Sequence, residues 1–165
     1  MNSNAISKLV MMATTVLALA SLTLFAAPAH ALVVAGGGGR VGSLDPKVGD
    51  GGVAVGAHVD METAGSHWHL EPNVLYWNGD PLNGFDTNVD AFYHFNAQRR
   101  TGPYLGGGVG LSMVDHPVGG TTTDGLANMF GGVQFPTGNN NVFLEGRYTF
   151  TDVSQASVSL GVTLH

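Results

Sequence analysis

Eight ionisable side chains crowd one stretch of the chain: His58, Asp60, Glu62, His67, His69, Glu71, Asp90 and His94. Imidazoles beside carboxylates can bind a metal ion, relay a proton, or hold one another in place. If the backbone is extended, residues two apart point the same way, so His67 and His69 share a face. A tight turn at Ala64-Gly65 would set Glu62 opposite His67, Asp60 opposite His69 and His58 opposite Glu71. Those are three acid–imidazole pairs, a combination that attracts across a sheet. The next hairpin would bring His94 beside Glu71. Three readings stay open: a satisfied polar filling, a metal site built from His67, His69, Asp60 and Glu71, or a pH-responsive plug or proton path.

Glu145 and Arg147, also two apart, form a second candidate group. Side chains of opposite charge on one buried face need each other, since neither can be left unpaired away from water. This pair is structural chemistry. Nucleophilic catalysis finds little support. Ser66 adjoins His67, and Ser112 precedes Asp115-His116, but sequence neighbours on a strand face opposite ways. No Gly-x-Ser-x-Gly elbow occurs. The chain is read as non-enzymatic, with no cofactor.

These residues are positioned by strands. From Gly52 onward, polar and apolar residues alternate in bursts of ~10, the pattern of a transmembrane β-barrel with its greasy face toward lipid. Val53, Val55, Ala57, Val59 and Met61 share one face of an early burst; Ala156, Val158, Leu160, Val162 and Leu164 share one face of the last. Strands are expected at 32–41, 52–62, 67–77, 88–96, 104–114, 125–135, 142–151 and 155–164, closing into an all-β, eight-stranded antiparallel up-and-down barrel. Gly/Pro/Asn/Asp segments supply the connections. Those at 43–51, 78–87, 115–124 and 152–154 would be outer loops, holding Asp45, Asp50, Asp80, Asp86, Asp115, Asp124 and Asp152 against Lys47. The inner turns would hold Arg99 and Arg100. Trp68, Tyr76, Tyr93, Phe95, Tyr148 and Phe150 fall on the lipid side near strand ends, where aromatic girdles form. Gly106, Gly108 and Gly110 on the luminal face leave room for Phe92, Phe130 and Phe143. An eight-stranded barrel is just wide enough for side chains to fill, so no wide pore is expected. A soluble lipocalin-like barrel is the competing architecture, with both faces reversed.

The beginning of the chain supplies an address. Lys8, the apolar run 9–27 and the triplet Ala29-His30-Ala31 read as a cleavable secretory signal peptide. The division is a signal peptide at 1–31 and one barrel domain at 32–165. The chain has no cysteine, 25 glycines and a formal net charge of −6. Thiolate metal sites are thereby excluded, and the acidic balance argues against nucleic acid as a partner.

The segments Gly102-Pro103-Tyr104-Leu105-Gly106-Gly107-Gly108-Val109-Gly110-Leu111, Gly131-Gly132-Val133-Gln134-Phe135, Leu144-Glu145-Gly146-Arg147-Tyr148 and Val158-Ser159-Leu160-Gly161-Val162-Thr163-Leu164 together resemble the small outer-membrane protein β-barrel family, which includes opacity-type and OmpA-like barrels. The resemblance covers 88–165 by motif and 32–87 by periodicity. It implies residence in the bacterial outer membrane, contact with its lipids and lipopolysaccharide, and delivery by the barrel-assembly machinery. Members usually end on an aromatic residue, where this chain has Leu164-His165. The expected role is structural or surface-interacting; the alternative is a narrow channel or metal-linked permeation protein using the luminal His/acid cluster.

Overall fold

The computed structural model describes residues 32–47, 49–63, 66–96 and 102–165. The expected signal peptide, the Ala64-Gly65 turn and the basic pair Arg99-Arg100 lie outside them. Eight strands form one closed barrel in chain order: β1 (Leu32–Pro46), β2 (Asp50–Thr63), β3 (Trp68–Asp80), β4 (Asn83–His94), β5 (Gly102–His116), β6 (Gly120–Thr137), β7 (Asn140–Phe150) and β8 (Gln155–Leu164). All neighbours are antiparallel, and β1 closes on β8 from Gly37↔Leu164 to Pro46↔Gln155. Closure removes the sheet edges that would otherwise leave unpaired backbone groups.

The alternation does what the residue types require. Val53, Val55, Leu105, Val109, Leu144, Val158, Leu160 and Leu164 are exposed on the outside, while His58, Glu71, Asp90, Glu145 and Arg147 are buried within. Aromatic residues ring the outside at two levels. Trp68, Tyr93 and Phe95 meet edge to face, with ring centroids 5.4 Å apart at each step, near the end of the barrel where β1 begins. Tyr76 stands higher on β3, and Tyr148 packs on Phe150 at 4.8 Å near the far, upper end. Trp68 and Tyr76 are eight residues apart, about 26 Å along the strand before tilt shortens it.

Several strands run further than their alternation suggests. β1 continues to Pro46, β4 begins at Asn83 and β6 begins at Gly120, so most of the expected outer loops are strand. Asp86 and Asp124 therefore sit inside ladders, opposite Ser112 from its two sides. The upper connections shrink to a few residues; the β5–β6 turn is Pro117-Val118-Gly119, where Gly119 takes φ +121°, a conformation that costs other residues strain. The misreading has a physical cause. At this end Gly, Asn, Asp and Thr replace the apolar outward residues, so strand and loop carry the same composition.

The wall is irregular at three places among the described residues. Ala35 is the extra residue of a bulge in β1, between Val34↔Met61 and Gly36↔Asp60. The β2–β3 ladder shifts register between Asp50 and Val53, then keeps one register to Glu62 but omits Val59 opposite Pro72 and Asp60 opposite Glu71. Pro72 has no N–H to give. Its direction is fixed by the neighbouring ladder: His94 N–H bonds the His67 carbonyl, so odd positions of β3 face β4 and even ones face β2. The missing donor is thus the one Val59 would have received.

Candidate functional site: the barrel interior

The interior has three tiers. Midway up lies an ion network that, with its polar partners, joins six strands. Arg40 of β1 donates from Nη1 to Glu145 Oε1 at 2.8 Å and from Nη2 to Glu71 Oε1. Arg147 of β7 donates from Nη1 to Asp90 Oδ2 at 2.7 Å and from Nε to Glu145 Oε1 at 3.0 Å. Tyr104 gives its hydroxyl proton to Glu145 Oε2 at 3.0 Å. Asn73 and Asn128 donate to the two oxygens of Asp90 at 2.7 and 2.9 Å. Asp90 and Glu145 are 0% and 3% exposed, so water does not screen this chemistry. The Arg147 guanidinium also lies 4.3 Å from the Phe130 ring centroid, a cation–π contact.

Above the network is an apolar closure. Leu44, Ala54, Trp77, Leu82 and Val114 cluster in the upper mouth, with Leu75 and Val153 against them. Leu82 comes from the β3–β4 turn, which folds it inward. Between closure and network, Asp86 is 1% exposed and accepts from Ser112 Oγ at 2.6 Å and Gln155 Nε2 at 3.1 Å.

Below the network sit Phe92, Tyr104, Phe130 and Phe143 with the buried histidines His58, His69 and His94. Phe130 lies on Gly106, as expected; Phe143 instead covers Gly161 of β8, and Asp90 and Asn88 occupy the space at Gly108 and Gly110. Two small voids, of about 10 and 20 Å³, flank the network. Each is of the order needed for a single water.

The expected acid–imidazole pairs require correction. The β2–β3 register is displaced by two residues: Glu62 stands opposite His69 and His58 opposite Asn73. The connection is longer than the assumed two-residue turn, since β2 ends at Thr63 and β3 begins only at Trp68. Asp60 still meets His69, diagonally, accepting from Nδ1 at 2.8 Å, and Glu62 Oε2 is 4.0 Å from His69 Nε2. His58 bonds Thr163 at 3.0 Å, not Glu71. His94 donates to Gln134 Oε1 at 2.7 Å, not toward Glu71. His67, just before β3, donates to the His94 carbonyl at 2.7 Å and stacks on Tyr93, on the outer face. The four residues considered for a metal are therefore not brought together: Glu71 is held by Arg40, and His67 is turned away. Among the described residues no three His, Asp or Glu side chains are placed to ligate an ion.

The Glu145–Arg147 pair forms. Its other cation, Arg40, was missed from sequence. It sits after Gly36-Gly37-Gly38-Gly39, where no alternation shows which face a residue takes. The available signal was scarcity: among the described residues Arg40 and Arg147 are the only Lys or Arg inside strands, and an isolated cation among apolar neighbours needs an acid.

No family model matches the sequence, and no curated protein matches it. Solved structures do. Neisserial surface protein A matches with a TM-score of 0.66 and 16% identity, over 78% of this chain and 94% of that one. The N-terminal β-barrel domain of Pseudomonas aeruginosa OprF matches with a TM-score of 0.56 and 16% identity, over 78% and 95%. The chain has the fold of the small outer-membrane barrels. Within this outer-membrane fold the polar interior and greasy exterior have one orientation, opposite to that of a soluble lipocalin-like barrel.

The upper rim completes the electrostatics. Asp45, Asp50, Asp80, Asp115 and Asp152 are exposed there and Asp124 is half-buried, while Lys47 is the one Lys or Arg among the described rim residues. Asp50 and Asp80 are direct cross-strand partners.

Proposed function

We propose that this protein is a non-enzymatic, integral barrel of the bacterial outer membrane, with a structural or surface-interacting role rather than a transport role. The observation that carries this reading is the filled interior. The ion network spans the lumen at mid-height, and Leu44, Trp77, Leu82 and Val114 close the mouth above it. The exposed apolar band between two aromatic levels supports contact with outer-membrane lipids and lipopolysaccharide, after insertion by the barrel-assembly machinery. The upper rim then faces the cell exterior, and its acidic turns are what a partner would meet.

Two measurements test this together. Envelope fractionation should recover the protein with the outer membrane, in a form whose gel mobility changes on heating. Purified protein in planar bilayers should pass little or no steady current. A stable, large conductance, or recovery as soluble periplasmic protein, overturns the reading.

A further inference from the structure

The β5–β6 hairpin stands above its neighbours on one side. β6 pairs with β5 all the way to Gly120, opposite His116. Its pairing with β7 begins only at Ala127↔Phe150, where β7 ends. Residues 120–126 are thus bonded on one edge only, and Thr121, Thr122, Thr123 and Gly125 are exposed.

The free groups can be assigned. Phe95 N–H bonds the Pro103 carbonyl, so odd positions of β4 and β5 face each other. Carrying the register onward, even positions of β6 face β5. Thr121, Thr123 and Gly125 direct their N–H and C=O groups to the open side. No described backbone group from the β7–β8 turn reaches them. Such an edge is a template for an added strand.

We propose that this edge takes up an extended, lysine- or arginine-rich peptide segment as an additional strand. Main-chain bonds would supply affinity, and charge selects the occupant. Asp124 lies on the edge strand and Asp152 on the turn beside the gap, within the acidic rim described above. A basic strand gains from both. A second copy of this chain would instead bring two acidic rims together. The proposal rests on the outward orientation given under Proposed function, but the edge itself persists in detergent.

The test uses the full protein, refolded in detergent and first checked for heat-modifiable mobility. The probe is a fluorescent ten-residue peptide alternating Lys with Val and Thr. Anisotropy should show saturable binding. Backbone N-methylation of alternate probe residues should weaken it ~10-fold or more, because the bonds are main-chain. Thr123→Pro should do the same, and Asp124→Asn with Asp152→Asn should weaken it severalfold. Hydrogen exchange should slow at Thr121, Thr123 and Gly125. If Thr123→Pro does not fold, the N-methylated probe decides alone. Equal binding of the methylated probe, protection elsewhere, no binding by a heat-modifiable barrel, or pairing of two copies through this edge would each overturn the proposal while leaving the membrane reading intact.

Discussion

His165 donates from Nδ1 to the carbonyl of Ala35 at 2.6 Å, and Ala35 is the residue bulged out of β1. The bulge frees a carbonyl from the ladder, and His165 takes it. On the other side of the ring, Asn141 of β7 donates to Nε2 at 2.7 Å. One imidazole thus ties β1 to β7 across the end of β8.

His165→Ala should remove both bonds and leave the Ala35 carbonyl to water. The expected cost is ~1–2 kcal/mol, read as a lower heat-modification temperature on gels. An unchanged transition would mean the tie is idle.

Arg147→Met should be far more damaging, because it takes from Asp90 its arginine partner and leaves Glu145 with Arg40 alone, where water cannot reach either carboxylate. About 3–5 kcal/mol is expected for one broken buried pair. Adding Asp90→Asn should recover part of this, and urea unfolding from lipid vesicles measures both. A double variant no more stable than Arg147→Met would show that Asp90 does not depend on Arg147.

Pro72→Val supplies the donor that the β2–β3 ladder lacks opposite Val59. Stability should rise by ~0.5–1.5 kcal/mol, and the new amide at position 72 should resist hydrogen exchange. A rapidly exchanging amide there would place the break elsewhere.

Gly161→Ala drives a methyl group into the Phe143 ring that covers it. Overpacking of this kind costs ~1–3 kcal/mol. Phe143→Leu in the same chain should return much of the loss, and double-mutant comparison of unfolding reads the coupling. Additive losses would show that the ring can move aside.

The wall was more legible in the sequence than its contents. Alternation from Val53 to Met61 and from Ala156 to Leu164 follows directly from lipid on one face and side chains on the other. Interior partners depend on register, and register depends on turn length. The β2–β3 connection is longer than assumed, so the partners from Val53 to Glu62 moved by two residues; the side chains within the strands kept their faces, while His67, just before β3, turned outward. Trp77, Leu82 and Asp86 were illegible for another reason. They lie at the upper end, where Gly84-Phe85-Asp86-Thr87-Asn88 has the composition of a loop although it forms a strand. Arg40 was hidden by its glycines.

The interior has a further consequence for assembly. Arg40, Asp60, Glu71, Asp90, Tyr104, Asn128, Glu145 and Thr163 come one from each strand, and every one finds its partner on a different strand. Half a barrel would leave stranded ions facing hydrocarbon, with nothing nearby to neutralise them. Intermediates missing even one staves' worth of wall are therefore disfavoured, and this polypeptide should enter its bilayer as a single cooperative event.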